Sequence, residues 1–314
     1  MARILVAGLI NVETTLRIDA FPLHYQPQNF PFFGIRATVS GVGYNVARAL
    51  TTLGHDVALL SLIGEDLTAN LVRTTLAADG ISTDDVLPVM PQTPQSVILY
   101  DREGKREVFT DLKDIQERAF PVDRFEHLAG TSDLCVLCNI NFARGLLPVA
   151  SRLGKPIATD VHTIANVDDD FNRDFMAAAD ILFYRDQNTT YDPFSDERLP
   201  AGPEAWVQSV NCRYAPAVQV VGLGAAGALL AERGRPLQLV PAVATRPVVN
   251  TIGAGDSLFS AFLHGWLQSG GDALQALRMA TIFASWKVGG NGGADGFLTA
   301  AELQRLAAMQ GASG

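Results

Sequence analysis

The chain has 314 residues, a length that fits one large α/β domain or two smaller ones. With 48% hydrophobic and 18% charged residues, it has enough apolar side chains for a sizeable core, which excludes a globally disordered protein. A net charge of −9 argues against a general binder of nucleic acids or anionic membranes, and no apolar run approaches the ~20 residues of a membrane span.

The first apolar run, MARILVAGLINVE, reads as a β-strand and lacks the charged start and cleavage site of a secretory signal. The chain has only three cysteines, which is typical of a reducing compartment, so we expect a cytoplasmic protein. Cys135 and Cys138 form a C-x-x-C inside the apolar run LCVLC, where alternation sends the two side chains to opposite strand faces. This pattern predicts a buried strand rather than a redox or zinc site.

Short apolar runs alternate with helical patterns along the chain, which predicts βαβ units and a largely parallel sheet. A helix from Val42 to Leu53 is predicted because its apolar residues share one face and Gly54 can end it. Further predicted strands read DVALLSLIG, SDLCVLCNI, KPIATDV and ADILFY, and further predicted helices read LTANLVRTTLAADG, GLLPVASRLG and DDDFNRDFMAAA. The acids of the last stretch suit the first turn of a helix.

Two stretches interrupt this rhythm and lack helices to cover them. Residues 12–37 alternate polar and apolar positions, and residues 93–110 look like two antiparallel strands joined at Arg102–Gly104. Together they predict a small second sheet that stands off the main domain. The apolar residues expected to be exposed on this sheet are Val97, Leu99 and Phe109. They predict that it pairs with its twin in a homodimer.

The stretch NTIGAGDSLFSAF, residues 250–262, places two glycines and an acid at the start of a predicted helix. Gly253 and Gly255 allow a ligand to approach the backbone closely, and a helix N-terminus offers unpaired N–H groups that favour a phosphate. Asp256 beside such a site can accept a proton from a hydroxyl that attacks a phosphoryl group. Taken alone, the motif is more often an ordinary helix cap.

Gly222, Gly224 and Gly227 spell G-x-G-x-x-G within VVGLGAAGALLAE, residues 220–232. This pattern invites a dinucleotide-binding interpretation. That fingerprint should open a helix, however, whereas ALLAERGRPLQLVP reads as a strand, a turn and another strand. Two interpretations stay open: a glycine turn that lies against a nucleotide, and a plain hairpin turn.

A third glycine-rich stretch, SGVGYNVARALTTLG, covers residues 40–54 and puts Gly41 and Gly43 at a helix entry. Asn45 lies in the first turn, where its amide can donate to and accept from a sugar hydroxyl; capping is the alternative. No G-x-x-x-x-G-K-[ST] occurs, which excludes a P-loop NTPase. The five histidines lack metal-ligand spacing, which predicts that they are surface or core residues.

Taken in chain order, these stretches resemble the ribokinase-like (PfkB) carbohydrate kinase family over nearly the whole chain. GLINVE resembles its G-x-x-N-x-D element, SGVGYN its substrate loop, TPQSVILYDREGKR its lid hairpin, VVGLGAAGALL its nucleotide-binding strand–turn–strand, and NTIGAGDSLFSAF its D-T-x-G-A-G-D-x-F motif. The resemblance implies a three-layer α/β/α sandwich with a mostly parallel central sheet and a small β-sheet lid. It implies a single domain over 1–314, with the lid formed discontinuously by about 12–37 and 88–111.

The resemblance also implies an ATP-dependent kinase that phosphorylates a hydroxyl of a sugar or sugar-like substrate, of the ribose, fructose, 2-keto-3-deoxygluconate or nucleoside class. Asp256 would be the general base, and the amides of Gly253, Ala254 and Gly255 would form the anion hole. The implied substrate residues are Asn11, Glu13, Gly41, Gly43, Asn45, Asn139 and Asn141. The implied nucleotide residues are Gly222, Gly224, Gly227, Thr251 and Thr281. Magnesium would accompany ATP, and a monovalent cation such as K+ belongs to part of the family.

The chain departs from the family pattern at Glu13, which replaces the usual acid, at Ser40, which replaces the first glycine of the substrate loop, and at two further places. Asn250 replaces the leading aspartate of the glycine motif, which weakens the implied K+ site. The N-x-x-E element after ADILFY is replaced by residues 185–188, with Asp196 and Glu197 as a displaced metal-binding equivalent. This replacement motivates a second hypothesis, a catalytically weak sugar or nucleotide sensor on the same scaffold. A nicotinamide dehydrogenase, based on the glycines of 222–227 alone, is the third.

Overall fold

The chain folds around two β-sheets in the computed structural model, which describes residues 1–103, 105–164, 166–185 and 202–311. The strands, numbered in chain order, are β1 (Arg3–Ala7), β2 (Asn11–Arg17), β3 (Ile35–Ser40), β4 (Asp56–Gly64), β5 (Val86–Met90), β6 (Gln95–Tyr100), β7 (Arg106–Asp111), β8 (Leu134–Leu137), β9 (Ile157–Thr163), β10 (Ile181–Arg185), β11 (Val218–Gly222), β12 (Ala228–Glu232) and β13 (Gln238–Val240). The larger sheet has the order β13-β12-β11-β10-β9-β8-β1-β4-β5. Its strands run parallel from β5 to β11, and β12 and β13 continue it antiparallel. The predicted mostly parallel central sheet is thereby confirmed.

Helices cover both faces of the larger sheet. They are α1 (Val42–Thr52), α2 (Leu67–Ala78), α3 (Val122–Gly130), α4 (Asn141–Arg144), α5 (Leu147–Arg152), α6 (Arg173–Ala178), α7 (Pro203–Arg213), α8 (Ala254–Gln268), α9 (Ala273–Lys287) and α10 (Ala300–Gly311). Strand β1 shows the layering, because Ile4 and Val6 belong to a core with α1, α2, α8, α9 and α10. Leu5 and Ala7 belong to a second core with α3, α5, α6 and α7. Successive strand residues point to opposite faces, so the sheet separates two apolar layers, as a three-layer sandwich requires.

The smaller sheet has the strand order β3-β2-β6-β7 and forms the predicted lid. β6 and β7 pair antiparallel, which confirms the hairpin predicted from residues 93–110. The lid sheet reaches to Ser40, and residues 88–90 belong instead to β5 of the larger sheet. Leu99 is 8% exposed, so its predicted exposure is wrong, whereas Val97 and Phe109 are 43% and 53% exposed. Val97 and Leu99 lie two positions apart and therefore share a face of β6, so the period of two, on which the prediction rested, does not separate them.

Helix α6 begins later than predicted. The acids of residues 168–170 lie in turns before it, because the side chain of Asn166 accepts the amide of Asp168 and that of Asp169 accepts the amide of Phe171. Such local bonds compete with helix formation. Asp174, a later acid of the predicted stretch DDDFNRDFMAAA, occupies the first helical turn instead.

Cys135 and Cys138 lie in β8 and directly after it, and both are buried, as predicted. Burial raises the pKa of both thiols, that of Cys135 to about 11. Among the described residues, no helix combines the length and the apolar character that a membrane crossing needs.

Candidate active site

The first turn of α8 forms the centre of the candidate site. Gly253 precedes this helix with a φ of 74°, and a Cβ there would come within 2.1 Å of the carbonyl oxygen of Gly293. Glycine is required at this position because both the backbone angle and the close approach exclude a side chain. Ala254 and Gly255 follow at the open end of the helix, and Asp256 lies in the first turn with 8% of its surface exposed. A helix N-terminus of this kind favours a bound anion.

Asn45 holds the carboxylate of Asp256. Its Nδ2 donates to Asp256 Oδ2 at 2.7 Å, although 211 positions separate the two residues in sequence. Asn45 occupies the first turn of α1, whose N-terminal residue is preceded by Gly41. That turn packs directly on the end of β1, where a Cβ on Gly43 would meet the backbone of Gly8 at 2.5 Å. The glycine-rich stretch therefore places the start of α1 against the start of α8.

The lid contributes buried polar side chains to the candidate site. Glu13 is 6% exposed and accepts a hydrogen bond from Ser40, and Asn11 Nδ2 donates to Ser96 Oγ at 2.6 Å. Burial raises the pKa of Glu13 and the negative charge of Asp256 adds to the rise, against the hydrogen bond from Ser40. The structure thus brings the predicted substrate residues of the lid close to the predicted base.

Three buried oxygens at this site have no hydrogen-bond partner within the described part of the chain. They are Asn11 Oδ1, Glu13 Oε1 and Asn45 Oδ1. Buried polar atoms in folded proteins are nearly always hydrogen-bonded, so this triple exception needs an explanation. Three acceptors on neighbouring elements suit a ligand that carries several hydroxyl donors, which is the chemistry of a sugar.

Asp160 is a site residue that the sequence analysis missed. It lies on β9, and one of its carboxylate oxygens is 4.0 Å from where a Cβ on Gly255 would be. Burial raises the pKa of Asp160, and Asp256 raises it further, while His162 lowers it. The amide of His162 donates to the same carboxylate at 2.8 Å. The available signal was its position near the carboxyl end of a predicted parallel strand, the edge at which ligands bind in such sheets.

Two arginines add positive charge at the rim. Arg106 begins the lid strand β7, and Arg185 ends β10 in the larger sheet. Although β7 is exposed along its length, partial desolvation of the guanidinium lowers the pKa of Arg106, as does the like charge of Arg185, while Glu13 and Asp256 raise it. The two cations therefore face the same region as these acids.

Lys287 is the second residue that the sequence analysis missed. It ends α9 and is fully buried, with its ammonium donating to backbone carbonyls of Ile252 and Gly292. Burial lowers the pKa of Lys287 to about 8, although Asp256, Asp295 and Glu13 favour its charged form. The signal was a lysine that ends the apolar helical run ATIFASW directly before a glycine-rich turn.

The remaining predicted substrate residues lie on α4 and just before it. Asn139 Nδ2 donates to Asn172 Oδ1 at 3.1 Å, whereas Asn141 is engaged through its amide by Gln116 and through Oδ1 by Arg144. Through these contacts Asn141 links the start of α4 to Gln116 and Arg144, which is a structural role. A substrate role for either residue stays a prediction.

The predicted nucleotide residues occupy two separate places. Gly222 ends β11, Gly224 opens a short 3-10 turn, and Gly227 precedes β12, which confirms a strand–turn–strand and not the strand–helix of a dinucleotide fingerprint. Thr251 is exposed before α8, where its carbonyl accepts the amide of Ala254 at 3.2 Å. Thr281 is buried within α9. Contact of these residues with a nucleotide stays a prediction.

The displaced metal-binding residues, Asp196 and Glu197, lie outside the described residues. Within the described ranges, no group of three or more His, Cys, Asp or Glu side chains is arranged to hold a metal ion.

Comparison with known proteins decides the family. The sequence model of the pfkB family carbohydrate kinases matches residues 1–186 and 198–300. The chain belongs to this family. The resemblance inferred from the motifs is thereby confirmed, and the protein is a carbohydrate kinase.

Three known proteins show the range of relatives of this pfkB carbohydrate kinase. It is 27% identical to an ATP-dependent ribose-1-phosphate kinase of Halopiger xanaduensis over 296 residues, which cover 93% of this chain and 94% of the relative. It is 29% identical to a 1-phosphofructokinase of Haloferax volcanii over 261 residues, 80% of each chain. The solved structure of a microbiome-derived acarbose kinase matches it with a TM-score of 0.84 at 26% identity, covering 98% and 99% of the two chains. These names share a reaction class but differ in acceptor.

Proposed function

We propose that this carbohydrate kinase transfers the γ-phosphoryl group of ATP to a hydroxyl of a sugar or sugar-like acceptor, of the ribose, fructose, 2-keto-3-deoxygluconate or nucleoside class. Asp256 acts as the general base. One observation carries the proposal: a buried carboxylate in the first turn of α8 is oriented by Asn45 and lies beside the glycine-flanked helix N-terminus. A plain helix cap needs neither the burial nor the amide partner 211 positions away.

The residues fit the phosphates of ATP and a magnesium ion held mainly through them. The glycine cradle at Gly253 leaves room that a Cβ would fill, and it faces the positive end of α8. Since the described residues offer no three-ligand metal cluster, magnesium would be held by phosphates, water and at most one or two carboxylates such as Asp160. Asp196 and Glu197 stay predicted metal-binding residues. ATP supplies the phosphoryl group and magnesium neutralises its charge.

The chain itself positions the acceptor and moves one proton. Asn11, Glu13 and Asn45 accept hydrogen bonds from acceptor hydroxyls through the three buried oxygens that lack a protein partner. Asp256 would take the proton of the attacking hydroxyl as the new P–O bond to the acceptor forms and the P–O bond to the leaving ADP breaks. The amides of Gly253, Ala254 and Gly255 stabilise the charge that develops on the transferred group. The lid covers these residues and excludes water.

Arg106 and Arg185 favour an acceptor that already carries an anionic group, because two cations at the rim exceed what hydroxyl recognition needs. Two of the similar proteins are named for phosphorylated sugars, whereas the third is named for acarbose. The acceptor panel should therefore pair each sugar with its phosphate. We also propose that the enzyme works in the cytoplasm as a homodimer formed through the lid.

The central test is Asp256→Asn, which keeps the shape of the side chain and removes the base. With ATP, magnesium and a panel of pentoses, hexoses, their phosphates and nucleosides, wild-type enzyme should release ADP with at least one acceptor. Turnover by Asp256→Asn should fall roughly 10²-fold or more, the usual contribution of a general base, while ADP binding measured by calorimetry persists. Asp272→Asn is the matched control, because Asp272 also begins a helix but is exposed at its cap, where asparagine serves equally.

Full activity of Asp256→Asn would contradict the mechanism. Thermal shifts with sugars or ATP, without ADP release from any acceptor, would instead support the sensor hypothesis. A nicotinamide dehydrogenase predicts NAD binding, which the same calorimetry detects.

A further inference from the structure

A buried ammonium group lies directly behind the candidate active site. Lys287 has no exposed surface, and its Nζ donates to the carbonyl oxygens of Ile252 and of Gly292, the latter at 2.6 Å. Among the described residues it forms no ion pair, although the carboxylates of Asp256, Asp295 and Glu13 act on it from a longer range. Burying a charge is costly unless it is paired and hydrogen-bonded, so a lysine buried without an ion-pair partner calls for an explanation.

The partners of Lys287 are the kind of ligands that a monovalent cation takes. Backbone carbonyl oxygens replace the water shell of K+ in selective sites, and an ammonium group is close to K+ in size and charge. An ordinary buried lysine is instead expected to pair with a carboxylate. Carbonyls of two separate loops converge here on one positive charge, which is the arrangement of a cation site already filled by a side chain.

The two carbonyls belong to the loops that build the glycine cradle. Ile252 directly precedes Gly253, and Gly292 directly precedes Gly293. Gly253 and Gly293 are in contact, since a Cβ on the first would lie 2.1 Å from the carbonyl oxygen of the second. Gly293 in turn lies against Asn45, whose Nδ2 would be 3.1 Å from a Cβ there. Lys287 therefore joins the loop that opens α8 to the loop that touches the residue orienting Asp256.

We propose that Lys287 is a positioning residue that serves as a tethered monovalent cation: its ammonium occupies the carbonyl cage between residues 252 and 292 and makes a free K+ ion unnecessary. The inference rests on the proposed kinase function for its role at the site. It is an alternative to the K+ ion that the family resemblance implies, because these two carbonyls already hold a covalently attached charge. The ammonium fixes the amides at the start of α8 and adds a full positive charge behind them.

The proposal is tested first on the wild-type enzyme. Phosphoryl transfer should change less than about twofold between K+-free buffer with a tetramethylammonium salt and KCl at the same ionic strength, because screening is then equal and the cation position is already filled by Lys287. Activation by K+ of about tenfold or more would overturn the proposal without any mutation.

Lys287→Ala then opens the cage, and Lys287→Met fills it with an uncharged chain. In K+-free buffer both variants should lose roughly 10- to 100-fold in rate, the range expected for lost hydrogen bonds to a charged group. K+ or ammonium should restore Lys287→Ala along a saturable curve, whereas tetramethylammonium should not. Lys287→Met should show no rescue, because its side chain occupies the space.

Lys155 provides a matched control. Its Nζ also donates to two backbone carbonyls, those of Gly130 at 3.1 Å and Ser132 at 2.7 Å, at the amino end of β9 and away from α8. Lys155→Ala should keep its rate in K+-free buffer and gain nothing from K+. A rate loss and K+ rescue in this variant would show a general salt effect and overturn the assignment to Lys287.

Thermal unfolding gives a readout that does not need turnover. K+ should raise the Tm of Lys287→Ala more than the same concentration of tetramethylammonium does. For wild type and for Lys287→Met, the Tm should be the same in the two salts. If no acceptor supports ADP release, the kinase proposal fails while this comparison still decides the cation site. Lys287→Ala with a wild-type rate in K+-free buffer, or with neither rescue nor K+ stabilisation, would overturn the inference.

Discussion

At the scale of single residues, Arg106 tests whether the acceptor carries an anionic group. It begins the lid strand β7, where the charges of Glu13 and Asp256 act on it, whereas Arg185 ends β10, the strand that neighbours β11. If the acceptor found in the panel is phosphorylated, Arg106→Gln should raise its KM about 10- to 100-fold, the range for a charge-assisted bond, with the KM for ATP little changed. Steady-state kinetics with each substrate varied in turn measures both values.

Arg102→Gln is the control for this substitution, since Arg102 is an exposed residue of the same hairpin with the same charge. It should leave both KM values unchanged. A rise in the KM for ATP alone would contradict the prediction and assign Arg106 to the nucleotide phosphates.

At the scale of elements, a histidine pair joins α8 to the start of β4. His55 Nε2 and His264 Nδ1 are 2.9 Å apart, and His55 Nδ1 accepts the amide of Ala2 at 3.3 Å. His55 must then donate from Nε2, so His264 accepts with an unprotonated Nδ1. Burial lowers the pKa of His55, and burial together with His55 lowers the pKa of His264 to about 4; the positive N-terminus acts in the same direction on both.

These depressed pKa values predict how stability depends on pH. The unfolded chain takes up protons near pH 6.5, whereas the folded pair stays neutral, so the stabilising contribution is complete above about 6.5 and is lost as the pH falls towards 4. The Tm of wild type should therefore fall more between pH 7.5 and 5 than that of His264→Gln, measured by calorimetry. Exposed His127→Gln should keep the wild-type dependence, and an equal slope in all three proteins would refute the assignment.

The whole molecule offers a surface for self-association on the outer face of the lid. Val97 and Phe109 are directly opposite each other on β6 and β7, both are about half exposed, and Ile35 on β3 is 62% exposed. Cross-strand neighbours share a face, so the apolar pair forms one exposed patch on the lid sheet. We expect a homodimer through this patch. Phe109→Glu should shift the mass measured by light scattering from dimer to monomer, because it buries a charge in the interface.

Leu239→Glu is the control, since Leu239 is also exposed but lies on β13 at the far edge of the larger sheet. It should remain a dimer. A wild-type protein that is monomeric at all concentrations would contradict the prediction.

Much of the site was predictable because its signals are local. The glycines and Asp256 stand in one short run with the helix that follows them, and the period of that helix is visible in the sequence. The strands of the larger sheet were predictable for the same reason, as buried parallel strands read as short continuous apolar runs. The start of α6 was not, because its acids bond to neighbouring amides in turns.

By itself, the sequence determined the layered α/β architecture, the family and the residue that we propose as the base, since each rests on patterns a few residues to a few turns long. The tertiary structure decided which groups surround that residue. Asn45 reaches Asp256 across 211 positions, Asp160 arrives from another strand, and the Lys287 ammonium is enclosed by carbonyls of two loops. Such contacts depend on how distant segments pack, and a lysine or an aspartate reads the same in sequence whether it is solvated or buried at an active site.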